Sequence, residues 1–315
     1  MTTRGIAVFA GDVSLDTTVV VDHVPEPDEK VHASALVEDV GGVVANAAIA
    51  CRLAGARVAL LAAFGDDLAG ELCQSRLQTR GIEPYAVKRP GTTSRALITL
   101  DAHGEKRLVL ATGVSLAPDE RACLDVDLTD AAWLHTAAYD LAATTALIDR
   151  CRAAGIDWSL DLEPATLRDG LAPLRPCLDG ASTVFVNSRA AAMLGSDPTG
   201  TLLALGVARV ISTLGAMGAR LRSATDDVLV DAPISAEPVV DTTGAGDCLA
   251  GTFIAALCSG QQAVDALRQA VTAASLSCRQ LGGPASYPPP ADVQSALAAS
   301  ERTVVGKNPS GESDS

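Results

Sequence analysis

Residues 241–257 read DTTGAGDCLAGTFIAAL, two glycines and an aspartate at the mouth of an apolar run long enough for a helix. Glycine lets backbone N–H groups approach a ligand with no Cβ in the way, and a helix N-terminus offers unpaired N–H groups and a positive dipole end. Gly244-Ala245-Gly246 ahead of a helix over Asp247–Leu257 therefore reads as an anion cradle, with Asp247 beside it as a carboxylate acceptor. Phosphoryl transfer needs both functions in one place: donors for charge developing on phosphate oxygens, and a base for the proton of the attacking hydroxyl. The plain alternative is a turn followed by an acidic first helical turn.

A second glycine-led stretch lies far upstream, GGVVANAAIACRLAGARVALLAAFGDDLAG over Gly41–Gly70. Gly41-Gly42 precedes an Ala-rich helix over Ala45–Ala54 that carries Asn46, so backbone amides and a side-chain amide can converge on a hydroxyl-bearing ligand. Gly11-Asp12 and Asp16 follow the first strand and put carboxylates at its C-terminal end. Singly, each carboxylate is also an ordinary turn residue.

Outward from these sites the chain alternates short apolar runs with Ala/Leu-rich helical stretches. Ile6–Ala10, Arg57–Ala63, Trp133–Thr136, Asp157–Asp161, Thr183–Val186 and Arg209–Thr213 read as strands, each with a helical neighbour. That rhythm predicts an α/β fold, a central and mostly parallel sheet with helices on both faces. Two segments break it. Asp16–Val40 is β-branched with two prolines, and TSRALITLDAHGEKRLVL (Thr93–Leu110) reads as two strands joined by the turn Asp101–Glu105. Together, roughly 13–40 and 90–112, they predict a small β-sheet lid over the C-terminal strand edges, where open α/β sheets bind ligands. Residues 1–301 are expected to form one domain. The tail from Arg302 lacks apolar periodicity and is expected to be disordered.

Composition narrows the function. Net charge is −14 with no Lys/Arg block to interrupt it, which argues against nucleic acid as a partner. MTTRGIAVFAGD is too short in apolar residues for a signal peptide or a membrane span, so a cytoplasmic protein is expected. The eight cysteines stand apart, with no CxxC pair, and read as small apolar helix residues.

The two glycine-led stretches, in this order and separation, resemble both signatures of the PfkB (ribokinase-like) family of ATP-dependent sugar and nucleoside kinases, over roughly residues 5–298. No GxxxxGK[ST] is present, so a P-loop kinase is excluded, and no GxGxxG follows the first strand, which ranks a dinucleotide oxidoreductase last. The resemblance implies a ribokinase-like fold with Asp247 as the base and the Gly244, Ala245 and Gly246 amides as the anion hole. It implies that Asp16, Gly41, Gly42 and Asn46 hold the acceptor, and that Asn187 with Thr213, Gly215 and Gly218 of ISTLGAMGARL lies at ATP. Asp241, Thr243 and Ser286 of GGPAS resemble the region that binds a monovalent cation such as K+ in relatives, although Asp241 also suits a turn cap. ATP and Mg2+ are the expected cofactors, and a homodimer paired through the lid sheets is the expected assembly.

Three departures stand out. Where relatives carry Asn-x-x-Glu, VFVNSRAAAML keeps Asn187 but has Ala190 for the glutamate, and a methyl group cannot accept a hydrogen bond from a magnesium-bound water. Either another carboxylate, Asp161 or Glu163 of SLDLEPA, takes over, or metal handling is weaker. GGKGAN of ribokinases is GGVVAN here, with Val43 for lysine, and the GAN after the flap is TGVSLAP. The flap holds no Phe, Tyr or Trp and only His23, His32 and His103, which favours a sugar acceptor over a stacked nucleoside base. Arg95, Lys106 and Arg107 read either as solvated flap residues or as a handle for a phosphorylated or acidic acceptor. The rival to a kinase is a sugar-binding regulatory protein with weakened catalysis, a reading that Ala190 supports.

Overall fold

The computed structural model describes residues 5–102, 105–118, 120–233 and 237–305. The chain opens with β1 (Ile6–Ala10), whose side chains are buried on both faces: Ala7 and Phe9 in one core, Val8 and Ala10 in the other. After a short loop come β2 (Ser14–Val20) and β3 (Ala35–Gly41), then α1 (Val43–Leu53), β4 (Val58–Gly65), α2 (Leu68–Thr79) and β5 (Glu83–Arg89). The hairpin β6 (Arg95–Leu100) and β7 (Lys106–Ala111) follows. The second half runs α3 (Glu120–Asp125), β8 (Ala131–Thr136), α4 (Leu141–Ala154), β9 (Asp157–Leu162), α5 (Arg175–Leu178), β10 (Thr183–Val186), α6 (Ser188–Met193), α7 (Pro198–Ala204) and β11 (Arg209–Thr213). It closes with β12 (Ala219–Ser223), β13 (Asp227–Val230), α8 (Ala245–Cys258), α9 (Ala263–Ser277) and α10 (Pro290–Val305).

The main sheet has nine strands in the order β13-β12-β11-β10-β9-β8-β1-β4-β5. It is parallel from β5 to β11, and the β12–β13 hairpin adds an antiparallel edge. Helices α1, α2, α8 and α9 cover the face that carries Phe9, Leu60 and Phe64. Helices α3, α4 and α5 cover the face with Val8, Leu61 and Leu134, so the strands alternate between two cores as a sheet buried on both sides requires. Because β1 pairs with β4 on one side and β8 on the other, the strand order reverses there, and the loops after these strands flank a crevice.

The second sheet has the order β3-β2-β6-β7, as expected for the lid. Its register assigns the two faces. Asp16, Ala96 and Leu110 share a row, as do Thr18, Ile98 and Leu108, and then Val20, Leu100 and Lys106; these rows lie on one face. Ala96, Ile98 and Leu100 are buried there against the body of the protein. Leu36, Leu97 and Val109 lie on the other face and are 64%, 51% and 65% exposed.

Two expected boundaries move. Helix α1 begins at Val43 rather than Ala45, because the Asp12 carboxylate accepts hydrogen bonds from Val43 N (2.9 Å) and Val44 N (3.0 Å) and so caps the first turn from another loop. At the C-terminus α10 carries helical backbone to Val305, into the segment expected as tail, while residues 306–315 and His103 fall outside the described residues. All eight cysteines are free, and Cys51, Cys73, Cys123, Cys151, Cys177 and Cys248 are buried as small apolar side chains. Among the described residues no helix is long and apolar enough to cross a membrane.

Candidate active site

Helices α1 and α8 pack side by side, and their N-termini bring the two glycine-led stretches together. A Cβ on Gly251 would stand 2.1 Å from the Ala47 carbonyl oxygen, so the helix axes approach as closely as a bare backbone permits. Across this seam Asn46 Nδ2 donates to Asp247 Oδ2 at 2.8 Å, a contact between residues 201 apart in sequence. Asn46 is 5% exposed and its Oδ1 has no protein partner, so one acceptor remains for a ligand donor.

Gly244 precedes α8 in a left-handed conformation (φ 73°), and its carbonyl accepts from the Tyr287 hydroxyl at 2.9 Å; a Cβ at Gly244 would meet that hydroxyl at 2.7 Å. The Ala245 amide turns back to the Thr242 carbonyl at 3.3 Å. The amides of Gly246 and Asp247 follow in the first helical turn, where no intrahelical acceptor exists, and a Cβ at Gly246 would meet only open space. Behind this turn Asp241 is an internal clamp. Its Oδ1 accepts from Thr243 N (2.9 Å) and Thr243 Oγ1 (2.6 Å), and its Oδ2 accepts from Gly282 N (3.0 Å). Ser286 Oγ donates to the Gly283 carbonyl at 2.8 Å in the same buried corner. The capping role for Asp241 is therefore realised, and it ties the GAGD turn to the GGPAS loop.

Of the residues expected at the acceptor, Asp16 projects from β2 over Gly41. A Cβ at Gly41 would fall 2.0 Å from the Asp16 carboxylate, so this glycine is what lets Asp16 occupy its place. Ser14 Oγ donates to Asp16 Oδ1 at 2.5 Å. The Val43 and Val44 amides at the start of α1 are taken up by the Asp12 carboxylate. Gly41 and Gly42 leave room for Asp16 and Asp12 respectively.

The residues expected at the nucleotide follow the ends of β10 and β11. Asn187 caps α6 by accepting from Ala190 N at 2.9 Å, and its Nδ2 donates to Glu163 Oε1 at 3.1 Å. The Ala190 methyl is fully buried in the second core. The carboxylate beside Asn187 is therefore Glu163, delivered from the end of β9 rather than from the helix. Thr213 ends β11, its carbonyl accepting from Ser188 Oγ at 3.4 Å, and Gly215 and Gly218 bound the turn into β12.

The electrostatics are those of crowded acids. Burial pushes Asp247 up to about 8, with Glu163 and Asp12 adding to the rise and the Asn46 hydrogen bond opposing it. Burial likewise raises Asp12 and Asp16 to about 6, and raises Asp161 and Glu163 above the usual carboxylate range. Such a set is short of positive charge, the condition that a divalent cation brought with phosphates relieves. Among the described residues no three His, Cys, Asp or Glu side chains are grouped so as to hold a metal ion by themselves.

Of the lid cations, Arg107 pairs outward with Asp101 (3.1 Å) and Glu105 (3.3 Å), as a solvated residue does. Lys106 behaves differently: its Nζ donates to Thr243 Oγ1 at 3.3 Å, across the cleft. Sequence reasoning missed Tyr287, the capping role of Asp12 and the Glu163–Asn187 pair; only the last had a signal, the SLDLEPA carboxylates.

The chain is similar to known proteins over nearly its whole length. Ribokinase of Bacillus subtilis (strain 168) is 30% identical over 312 residues, covering 93% of this chain and 99% of that protein. The ATP-dependent ribose-1-phosphate kinase of Halopiger xanaduensis is 28% identical over 298 residues, covering 91% and 96%. Among solved structures, ribokinase from Cryptococcus neoformans var. grubii in complex with ADP superposes with a TM-score of 0.74 at 26% identity, covering 93% of this chain and 99% of that one. The profile of the pfkB family carbohydrate kinases matches residues 7–289, and the chain accordingly belongs to that family of phosphotransferases.

Proposed function

We propose that this protein transfers the γ-phosphoryl group of ATP to a hydroxyl of a sugar or sugar-like acceptor, with Asp247 as the base. The observation that carries the reading is the Asn46–Asp247 hydrogen bond, which joins the acceptor side to the α8 N-terminus. Held near 8, Asp247 is a stronger proton acceptor than an ordinary carboxylate and still ionises at mildly alkaline pH. The acceptor oxygen attacks phosphorus as its proton passes to Asp247, and the Gly244–Gly246 turn, with the first amides of α8, receives charge on the phosphoryl oxygens. Asp16 and Asn46 orient the acceptor, and Asn187, Thr213, Gly215 and Gly218 bound the nucleotide.

Magnesium, when bound with the nucleotide, supplies charge neutralisation on the phosphate oxygens. In this chain Glu163, steadied by Asn187, is the carboxylate to hold it, in place of the side chain that Ala190 lacks. A monovalent cation such as K+ would act through Asp241, Thr243 and Ser286 by stiffening the turn beneath the anion hole.

A sugar is favoured over a nucleoside because the buried lid row is Ala96, Ile98 and Leu100, with no ring for a base to stack on. The test is ADP release from ATP with Mg2+ and K+ across pentoses, hexoses, sugar acids, sugar phosphates and nucleosides. Acceptor-dependent release that falls on the order of 10²–10⁴-fold in Asp247→Asn is expected. Unchanged turnover in that variant removes Asp247 as the base. Sugar binding with no turnover in the wild type favours the regulatory protein instead.

A further inference from the structure

We propose that the protein carries a second small-molecule site at the N-terminal edge of its main sheet, shaped for a zwitterion of the α-amino acid class with an apolar side chain. It is independent of the kinase reading. An open cavity of about 520 Å³ lies at that edge, with Trp133, Asp157, Arg209, Leu257 and Ser259 in its lining, a size suited to such a ligand. Asp157 opens β9 and Arg209 opens β11, so both stand at the end of the sheet away from Asn187 and Thr213. Leu257 lies in the last turn of α8 and Ser259 caps it, whereas Asp247 lies in the first turn, about 15 Å away along the helix axis.

The cavity holds one charge of each sign, and the two do not satisfy each other. Arg209 is half-buried, yet among the described residues its side chain makes no hydrogen bond and no ion pair. One step before the Val184–Val210 pair it meets Thr183, on the sheet face that carries Phe185 and Ile211. Thr183 is fully buried, and its Oγ1 has no protein partner either. A guanidinium drawn out of water without a partner is costly, and a carboxylate, with two parallel acceptors, is the group that fits its fork of donors.

Asp157 accepts from Ser182 Oγ through Oδ1, which leaves Oδ2 for a ligand donor. Its charge supports that of Arg209 from beyond ion-pair distance. The end of α8 adds to the negative side: its last turn contains no basic residue, so the carbonyl end of the helix dipole is uncompensated there. Trp133 commits its indole N–H to Ser159 Oγ at 2.8 Å and so offers the cavity apolar surface. Arg209 thus takes a carboxylate, Asp157 and the α8 terminus take an ammonium, and Trp133 and Leu257 take the apolar body. A phosphate dianion would meet Asp157 and the helix end with the wrong sign.

Isothermal titration calorimetry of the full chain with L-leucine, 4-methylpentanoate and 3-methylbutylamine, with and without saturating ADP and magnesium, tests the site. L-Leucine carries both charges and the other two probes carry one each. The expected result is one leucine per chain with Kd on the order of 1 mM or tighter. Either single-charge probe binds about tenfold more weakly or worse, and ADP does not compete. Arg209→Met and Asp157→Asn each weaken leucine binding by about tenfold or more, with melting temperature and ADP affinity near wild type. Asp157→Asn keeps an acceptor for Ser182, and Ser259→Trp obstructs the cavity while leaving both charges in place, so these two carry the test should Arg209→Met fail to fold. Absence of leucine binding overturns the proposal, as does binding that survives these variants or is displaced by ADP. Binding of 4-methylpentanoate as tight as that of leucine overturns the zwitterion and leaves a simple anion site.

Discussion

Replacing Asp247 with Asn retains the acceptor for Asn46 Nδ2 and removes the charge, so it isolates what the ionised carboxylate does to the fold. Asp247 is raised from 3.8 to about 8 in the folded protein, first by burial and then by Glu163 and Asp12. Between those values the folded state keeps a proton that the unfolded chain releases, so stability is greatest below 3.8 and is lost as pH rises through 8. The slope is about 1.4 kcal/mol per pH unit, or roughly 4 kcal/mol between pH 5 and pH 8. Water in the open cleft screens the charge, and halving the figure leaves about 2 kcal/mol. An unfolding entropy near 2.1 cal/mol/K per residue makes that about 3 °C for a chain of this length. Asn does not titrate, and Asp12 and Asp16 titrate in both proteins. The melting temperature of Asp247→Asn minus that of wild type should therefore grow by about 3 °C from pH 5 to pH 8, followed by circular dichroism without nucleotide. A difference that stays flat, or shrinks as pH rises, would refute the claim that the fold holds Asp247 as a strained acid.

Gly41→Ala forces the Asp16 carboxylate aside, since the new Cβ would sit 2.0 Å from it; steady-state kinetics should show acceptor KM raised on the order of tenfold or more with the KM for ATP little changed. Glu163→Gln should raise the magnesium concentration for half-maximal ADP release by about 10–100-fold, and Mn2+ binding to the ADP complex, read by electron paramagnetic resonance, should weaken alongside. Leu97→Lys together with Val109→Glu places charges on the exposed outer lid face; if that face pairs two copies, light scattering should show the wild type at twice the monomer mass and the variant at the monomer mass.

The fold was readable because its central strands are buried on both faces and so appear as short continuous apolar runs; β1, β8, β10 and β11 fall within a few residues of their expected bounds. Strand β5, EPYAVKR, is an edge strand with charged positions and carries no such run. The lid was legible from its interruption of the βα rhythm, although which face of it meets the cleft depends on register. In the site, the residue types were visible and their pairings were not. Asn46 and Asp247 meet through the packing of α1 on α8, which no local pattern encodes. Asp161 and Glu163 were equal candidates in SLDLEPA, and it is Glu163 that accepts the Asn187 Nδ2 hydrogen bond, a pairing the sequence does not show. Asp12 looked like a turn residue and serves as a cap for a helix more than thirty positions away, a role that only the folded chain creates.

The seam at Gly251 and Ala47 bears on how such a protein can change its substrate. At Gly251 the backbone of α8 meets that of α1 directly, so the spacing of Asn46 from Asp247 is tied to the packing of the core. On the proposed reading, by contrast, much of the surface that meets the acceptor belongs to a separate four-stranded sheet that shares no strand with the main one. Mutations in the lid can therefore alter which molecule is admitted while the reacting geometry stays at its fixed gauge. Selection for a new acceptor would be expected to leave its marks on β2, β3, β6 and β7 and to spare the two helices beneath.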